Sequence, residues 1–303
     1  MALGRQRSVH YTKVLTNYAV DYAPKQLVGR ELFPVINVEN HADVWPVFDK
    51  SQFDDVNDLR SDGDEANEVS RGWKYEPYLC ETRALREPIT EKQRRNWDSE
   101  VDFEADTTEY LKQLIWNRYE VRLFGTNGFV RKAANNAGSA NVDWTNLSTA
   151  SVKAALDTGM ETCESAAGRT PNVIVLTPQV GRHIRNTAEW KDYYKYTSNI
   201  SDVDLPETIY GLKAYYVESL INTARKGQAP SLTRIMGDDV WIGYVGPWGY
   251  KQLTYGATLM TYEEAGTWYD NGRKADIYEY EAEFVQVLIA KECGYLLTSV
   301  LTA

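Results

Sequence analysis

Residues 54–72, DDVNDLRSDGDEANEVSRG, bring seven carboxylates close together: Asp54, Asp55, Asp58, Asp62, Asp64, Glu65 and Glu68. Only Arg60 and Arg71 oppose them. Oxygen donors this dense could hold calcium, build an acid site, or simply face water. An EF-hand loop begun at Asp58 puts Asp62 at its fifth place and Gly63 at its sixth, where the sharp turn needs glycine. Its third place is then Arg60, which brings a cation into the site. Its twelfth is Val69, where a bidentate Glu is needed, so the pattern argues against an EF-hand. The stretch holds three aliphatic residues larger than alanine and no aromatic one, so it builds no core of its own.

Two further carboxylate pairs could serve glycoside hydrolysis, Glu263 with Glu264 in TYEEAGTWYD and Asp238 with Asp239 in MGDDVW. Neighbours in a strand point to opposite faces, so adjacent residues make poor catalytic couples, although a pair assembled across the fold stays open. His10, His41 and His183 fall in three separate regions without ligand spacing, which favours surface or arm positions over a catalytic base. VIVLTPQVGRH has the strand-to-helix form of a phosphate loop, but its single Gly181 fits neither glycine-rich fingerprint. A capped helix start accounts for its Thr-Pro. No GxSxG elbow and no HExxH occurs. Cys80, Cys163 and Cys293 make no CxxC or zinc pattern and suit buried thiols in a reducing compartment. No cofactor and no metal is expected.

At 303 residues the chain can form one large domain or two ordinary ones. Its net charge of −10 gives no global attraction to nucleic acid or to an anionic membrane. No apolar run reaches the length of a membrane span, and the start, MALGRQRSVHYTKVL, has no apolar signal core. The aromatic content is high, with 9 Trp, 21 Tyr and 7 Phe. Such residues suit large contact surfaces or a mixed core, and composition alone leaves both open.

The elements around these residues follow from periodicity. Residues 1–38 read as an extended arm entering a strand. ADVWPVFD (42–49) and EVSRGWKYEPYLC (68–80), the latter with a two-residue period, read as a hairpin with the acidic stretch at its tip. An isolated two-stranded ribbon is marginal in water, so this hairpin needs a partner surface in its own chain or in another subunit. The spacing predicts a long helix over 99–124, with Ser99 and Asp102 as a capping box and Gly125 as a C′ glycine. Val101, Ala105, Leu111, Leu114, Ile115 and Val121 form one apolar face, widened by Phe103, Tyr110 and Phe124, as for a spine packed on more than one side. After a polar linker, TASVKAALDTGMETCESAAG reads as a helix, PNVIVL as a buried strand, and Thr177-Pro178 as the cap and first turn of another helix. Strands follow at GLKAYYVES, DVWIGYVG, DIYEYEAEFVQVLIA and YLLTSVLT. This order favours an α+β architecture over a doubly wound sheet.

From about residue 18 onward the chain resembles the major capsid proteins of tailed bacteriophages, with the Hong Kong 97-type shell fold. RELFPVINVENHADVWPVFDK, EKQRRNWDSEVDFEADTTEYLKQLIWNRYEVRLFG, PNVIVLTPQVGRHIRN, ETIYGLKAYYVES and YEAEFVQVLIAKECGYLLTSVL carry the resemblance by their joint order. It implies an N-terminal arm at 1–38 and an extended hairpin loop at 39–80 reaching over a neighbouring subunit. A peripheral domain with the spine helix would follow at 81–147, an axial domain at 148–247, and return strands of the peripheral domain at 248–303. Its inter-subunit contacts are then expected at Asp54, Asp55, Asp58, Arg60, Asp62, Asp64, Glu65, Glu68, Arg71 and Trp73.

The function so implied is structural and not enzymatic. The subunit would self-assemble into pentamers and hexamers of an icosahedral virion capsid around double-stranded DNA, with assembly in the host cytoplasm and no membrane. Its partners would be other copies of itself, a separate scaffolding protein, a portal and a decoration protein. The family's covalent cross-link is not carried over, because neither Lys50 nor Lys74 matches the cross-linking position. The alternatives are an encapsulin-like nanocompartment shell and a carbohydrate-active enzyme.

Overall fold

A computed structural model of the chain describes residues 10–11, 27–60, 62, 65–69, 74–95, 103–193, 195, 205–225, 227–247 and 253–301. The N-terminal part contributes β1 (His10–Tyr11), α1 (Gly29–Leu32), β2 (Val35–Asn37), β3 (Ala42–Val47) and β4 (Lys74–Leu79). Through Cys80 the chain runs on into β5 (Glu81–Thr90), then α2 (Glu91–Arg95) and the long α3 (Phe103–Phe124). The central part holds β6 (Gly138–Asn141), α4 (Val152–Ala167), β7 (Val173–Leu176), α5 (Pro178–Asn186) and α6 (Ala188–Tyr193). It continues with β8 (Thr208–Ile209), β9 (Leu212–Tyr216), β10 (Leu220–Asn222), β11 (Leu232–Arg234) and β12 (Val240–Gly243). Finally come β13 (Gly256–Asp270), β14 (Ala275–Leu288) and β15 (Gly294–Thr298).

Two sheets organise these strands, giving the α+β class expected from their order. In the first, β13 and β14 pair along their full lengths, β5 adds to β14, and β1 and β2 both pair with β13. The second runs β6-β15-β12-β7-β9-β8, with parallel pairs at β7–β9 and β15–β6. Two smaller ribbons, β3–β4 and β10–β11, pair their strands outside both sheets. The predicted linker between α3 and α4 contains a strand, β6, whose small residues GSAN gave no period to read. The predicted N-terminal arm contains α1, a single turn bounded by buried Val28 and Phe33.

Strand β7, VIVL, is buried on both faces because alternate residues enter different cores. Val173 and Val175 join Trp241, Leu296 and the α3 residues. Ile174 and Leu176 join Leu156 of α4, Val180 and Ile184 of α5, and Tyr295.

The long helix is 22 residues over its described part; the predicted start at 99–102 lies outside the described residues. It packs on more than one side, as expected, but with a different face. Leu111, Ile115 and Phe124 are buried as expected and are joined by Trp116, Tyr119 and Leu123, whereas Tyr110 is 52% exposed. One side lies on β14 and β5. Trp116 stacks on Phe284 with ring centroids 5.8 Å apart. The other receives α1, where a Cβ at Gly29 would meet Tyr119 at 2.7 Å and Leu123 at 2.6 Å. Glycine here permits close approach of backbone to helix.

The helix does end before Gly125, whose N–H still bonds Val121 O at 2.9 Å. Gly125 is not in the left-handed conformation expected of a C′ glycine; that role appears at Gly168, φ 65°, which caps α4. Among the described residues fourteen aromatic side chains are buried and five are exposed, so these rings chiefly fill the core.

Candidate assembly surface

The β3–β4 ribbon pairs Ala42 with Leu79 through Val47 with Lys74, the hairpin expected from the alternation of residues. Its root is fixed to the body. Cys80 N–H bonds His41 O at 2.9 Å and extends the β3–β4 ladder, while Phe48 N–H bonds Ile289 O of the body at 2.8 Å. Trp45, Tyr78 and Cys80 bury against Leu259 of β13. Lys50 reaches Glu292 at 3.8 Å. The Phe53 ring lies near Gly168 and 6.2 Å from Phe48, so the anchorage extends that far.

Beyond Phe53 that support stops. Asp54, Asp55, Asp58, Arg60, Asp62, Glu65 and Glu68 are all exposed, while Asp64, Arg71 and Trp73 lie outside the described residues. Local turns come from Asn57, whose Oδ1 accepts from Leu59 N–H at 3.1 Å and whose carbonyl accepts from Asn67 Nδ2 at 2.7 Å. Among the described residues no ion pair reaches Asp54, Asp55, Asp58, Asp62, Glu65 or Glu68. Their charge is left to solvent or to another molecule.

Apolar exposure is concentrated in the same region. Of fourteen exposed large hydrophobic residues among the described ones, eight lie between residues 44 and 85: Val44, Phe53, Val56, Leu59, Val69, Tyr75, Leu79 and Leu85. Leu59 is 77% exposed and Val69 70%. Scattered apolar residues need no explanation, but seven of these eight lie on the β3–β4 ribbon or the segment joining its strands, outside its buried root. Composition gave the acidic character of this region; the apolar partners could be found only once their exposure was known.

The other residues with chemical potential are occupied elsewhere. Glu263 accepts from Lys112 Nζ at 3.0 Å and from Tyr280 Oη at 2.5 Å inside the core. Asp239 pairs with Arg131 Nε at 2.6 Å, and its other oxygen takes Ser299 N–H at 2.9 Å. Each adjacent-carboxylate pair thus contributes one member to a structural ion pair.

Thr177 occupies the cap position before Pro178, as expected, but its hydroxyl donates to Gly237 O at 3.1 Å rather than to the helix. The fixed φ of Pro178 and its missing N–H start α5 without that help. His183 Nε2 lies 2.5 Å from Trp144 O, and His41, largely exposed, contacts Glu283. Cys80, Cys163 and Cys293 are free and buried, and burial pushes the thiols of the latter two up to about 12. Among the described residues no helix is long and apolar enough to cross a membrane. No group of three or more His, Cys, Asp or Glu side chains there could hold a metal ion.

A projecting hairpin, a long helix lying across one sheet, and a mixed second sheet flanked by helices together define the Hong Kong 97-like capsid fold. The solved structures that share it cover most of the chain. A phage-related protein of Bordetella bronchiseptica RB50 superposes with a TM-score of 0.76 at 19% identity, over 98% of each chain. The capsid of the native GTA particle, computed with C5 symmetry, gives 0.57 at 13% identity over 91% of each. The SrpI encapsulin of Synechococcus elongatus PCC 7942 gives 0.51 at 10% identity over 96% of each. No family model and no curated protein matches the sequence.

Proposed function

We propose that this chain is the structural subunit of an icosahedral virus capsid and acts by assembly, not catalysis. Copies join into pentamers and hexamers and enclose packaged double-stranded DNA. The observation that carries this reading is the hairpin: a ribbon anchored only as far as Phe53, then exposed carboxylates that join no ion pair among the described residues, beside exposed apolar side chains. A neighbouring copy supplies the missing surface, in heterologous contacts that close into rings. The capsid of the native GTA particle, alike over 91% of its length, supports the same role.

In this reading residues 1–38 are the N-terminal arm and 39–80 the extended loop. Residues 81–147 and 248–303 form the peripheral domain, and 148–247 the axial domain around the five-fold and six-fold axes. Asp54, Asp55, Asp58, Arg60, Asp62, Asp64, Glu65, Glu68, Arg71 and Trp73 lie at the inter-subunit contact. The subunit assembles in the host cytoplasm with a separate scaffolding protein and a portal, takes a decoration protein, and resides in the virion. A second reading, a nanocompartment shell enclosing an enzyme, is favoured by the likeness to the SrpI encapsulin.

Light scattering and negative-stain electron microscopy of the purified protein test the proposal. Closed particles, or free pentamers and hexamers, are the expected result. Nucleic acid absorbance of the particles then separates capsid from compartment. A monomer that forms no rings at high concentration with scaffold supplied overturns both.

A further inference from the structure

Where β5 meets α3, three arginines converge. Arg118 and Arg122 lie one turn apart on the helix, the first exposed and the second partly buried. Arg83 comes from β5, the edge strand of the first sheet. The guanidinium groups of Arg83 and Arg122 lie over the ring of Phe284 at 5.4 and 5.7 Å. Burial and then the charges of Arg83 and Arg118 lower the pKa of Arg122 to about 10. Among the described residues Glu81 opposes the group, through its contact with Arg83. Arg122 Nη1 and Arg83 Nε are buried without a hydrogen-bond partner among the described residues. Those two nitrogens are closed to outside acceptors, but the Arg83 side chain keeps 24% exposure, Arg122 is part-exposed and Arg118 is exposed, so the outward sides of the guanidinium groups can take carboxylates.

We propose that Arg83, Arg118 and Arg122 form a receptor for the acidic segment 54–68 of a second copy of this chain. The inference rests on the shell reading and goes beyond it by naming the receiving residues. Charge complementarity selects the occupant: the segment is rich in exposed carboxylates without ion pairs, and the receptor has like charges crowded together. Apolar contacts reinforce the match. Leu85 lies two residues from Arg83 on the same face of β5 and is 38% exposed, while Val56 and Leu59 are exposed within the acidic segment. The carboxylates cap the guanidinium groups as those apolar side chains cover one another.

Two experiments on the full chain test this. Charge reversal at the exposed helix position, Arg118→Glu, should raise the concentration needed for half-assembly by about tenfold, as should Asp54→Lys, Asp55→Lys and Asp58→Lys together. Combining the reversals should restore most of the loss, whereas combining the Lys changes with Arg234→Glu on the second hairpin should not. In a second variant, Asp58→Cys with Arg118→Cys, mild oxidation of particles should give covalent multimers, with the three native thiols buried and silent. Normal particles with no cross-link and no effect of reversal overturn the receptor and leave the shell reading standing. Arg118→Glu particles that assemble normally but lose their DNA overturn it in favour of a phosphate site. Failure of the unmodified chain to form particles overturns the shell reading itself.

Discussion

Lys112 and Glu263 meet at 3.0 Å with the lysine side chain wholly removed from water and the glutamate 8% exposed. Tyr280 Oη also donates to Glu263, and Trp116 Nε1 donates to Tyr280 Oη at 3.2 Å, so the charge sits within a hydrogen-bonded network. This network joins α3 to both long strands of the first sheet. Removing one partner leaves the other charge buried. Lys112→Met should therefore destabilise the subunit by about 3 kcal/mol in urea denaturation. Adding Glu263→Gln to that variant should cost much less than the sum of the two single changes, because neither charge then remains. Additive losses would show that the two residues do not act as a pair.

Glu120 is a buried acid with no ion pair among the described residues. Its Oε1 accepts Gly29 N–H at 2.6 Å and its Oε2 accepts Ser219 Oγ at 3.3 Å, holding α1 and the loop before β10 against the helix. Burial pushes its pKa up from 4.5 to about 7, more than those hydrogen bonds lower it. Between these values the folded chain keeps a proton that the unfolded chain has released. Stability should therefore fall as pH rises from about 4.5 to about 7, by about 3 kcal/mol in all, and level off above. Glu120→Gln keeps an acceptor for Gly29 and should flatten that slope, gaining about 2 kcal/mol at pH 8. Denaturant midpoints measured across pH for both proteins check the sign; an unchanged slope would remove Glu120 as its source.

Cys80, Cys163 and Cys293 are all buried, and burial raises the pKa of each thiol. Thiolate is the reactive form, so all three should resist a thiol reagent in the native subunit at pH 8. They should react only as fast as the chain opens. Labelling should then follow the unfolding transition, with three thiols released together in denaturant.

Much of this architecture was legible in local pattern. The hairpin strands followed from alternation and the acidic tip from composition, while β7 was readable as a fully apolar run between turn signals. The 15-residue strand β13 was not: GATLMTYEEAGTWYD mixes apolar and acidic residues, and its pairing with β14 shifts register between Met260 and Tyr262, which breaks a two-residue period. The buried face of α3 was misjudged for a related reason. Lys112 and Glu120 look like solvent-facing residues until Glu263, Gly29 and Ser219 are brought beside them by the fold. The arginine receptor was equally hidden, since Arg83 and Arg122 meet only through Phe284.

The hairpin tip separates folding from assembly most directly. Every described residue from 54 to 69 is exposed, and the anchorage of the ribbon ends at Phe53. Replacing residues 54–68 with a short Gly-Ser bridge should therefore change subunit stability by less than about 1 kcal/mol. The same change removes the acidic groups, together with Val56 and Leu59, and should impair shell formation or particle stability. Each exposed charge pair is worth at most about 1 kcal/mol, so the effect depends on many repeated copies. It should also be mimicked by salt, because raising the ionic strength to 1 M shortens the screening length to about 3 Å. Denaturation of the subunit and sedimentation of particles read the two properties independently. A truncated chain that folds and assembles like its parent would remove the tip from the interface; one that fails to fold would place the tip in the subunit's own stability.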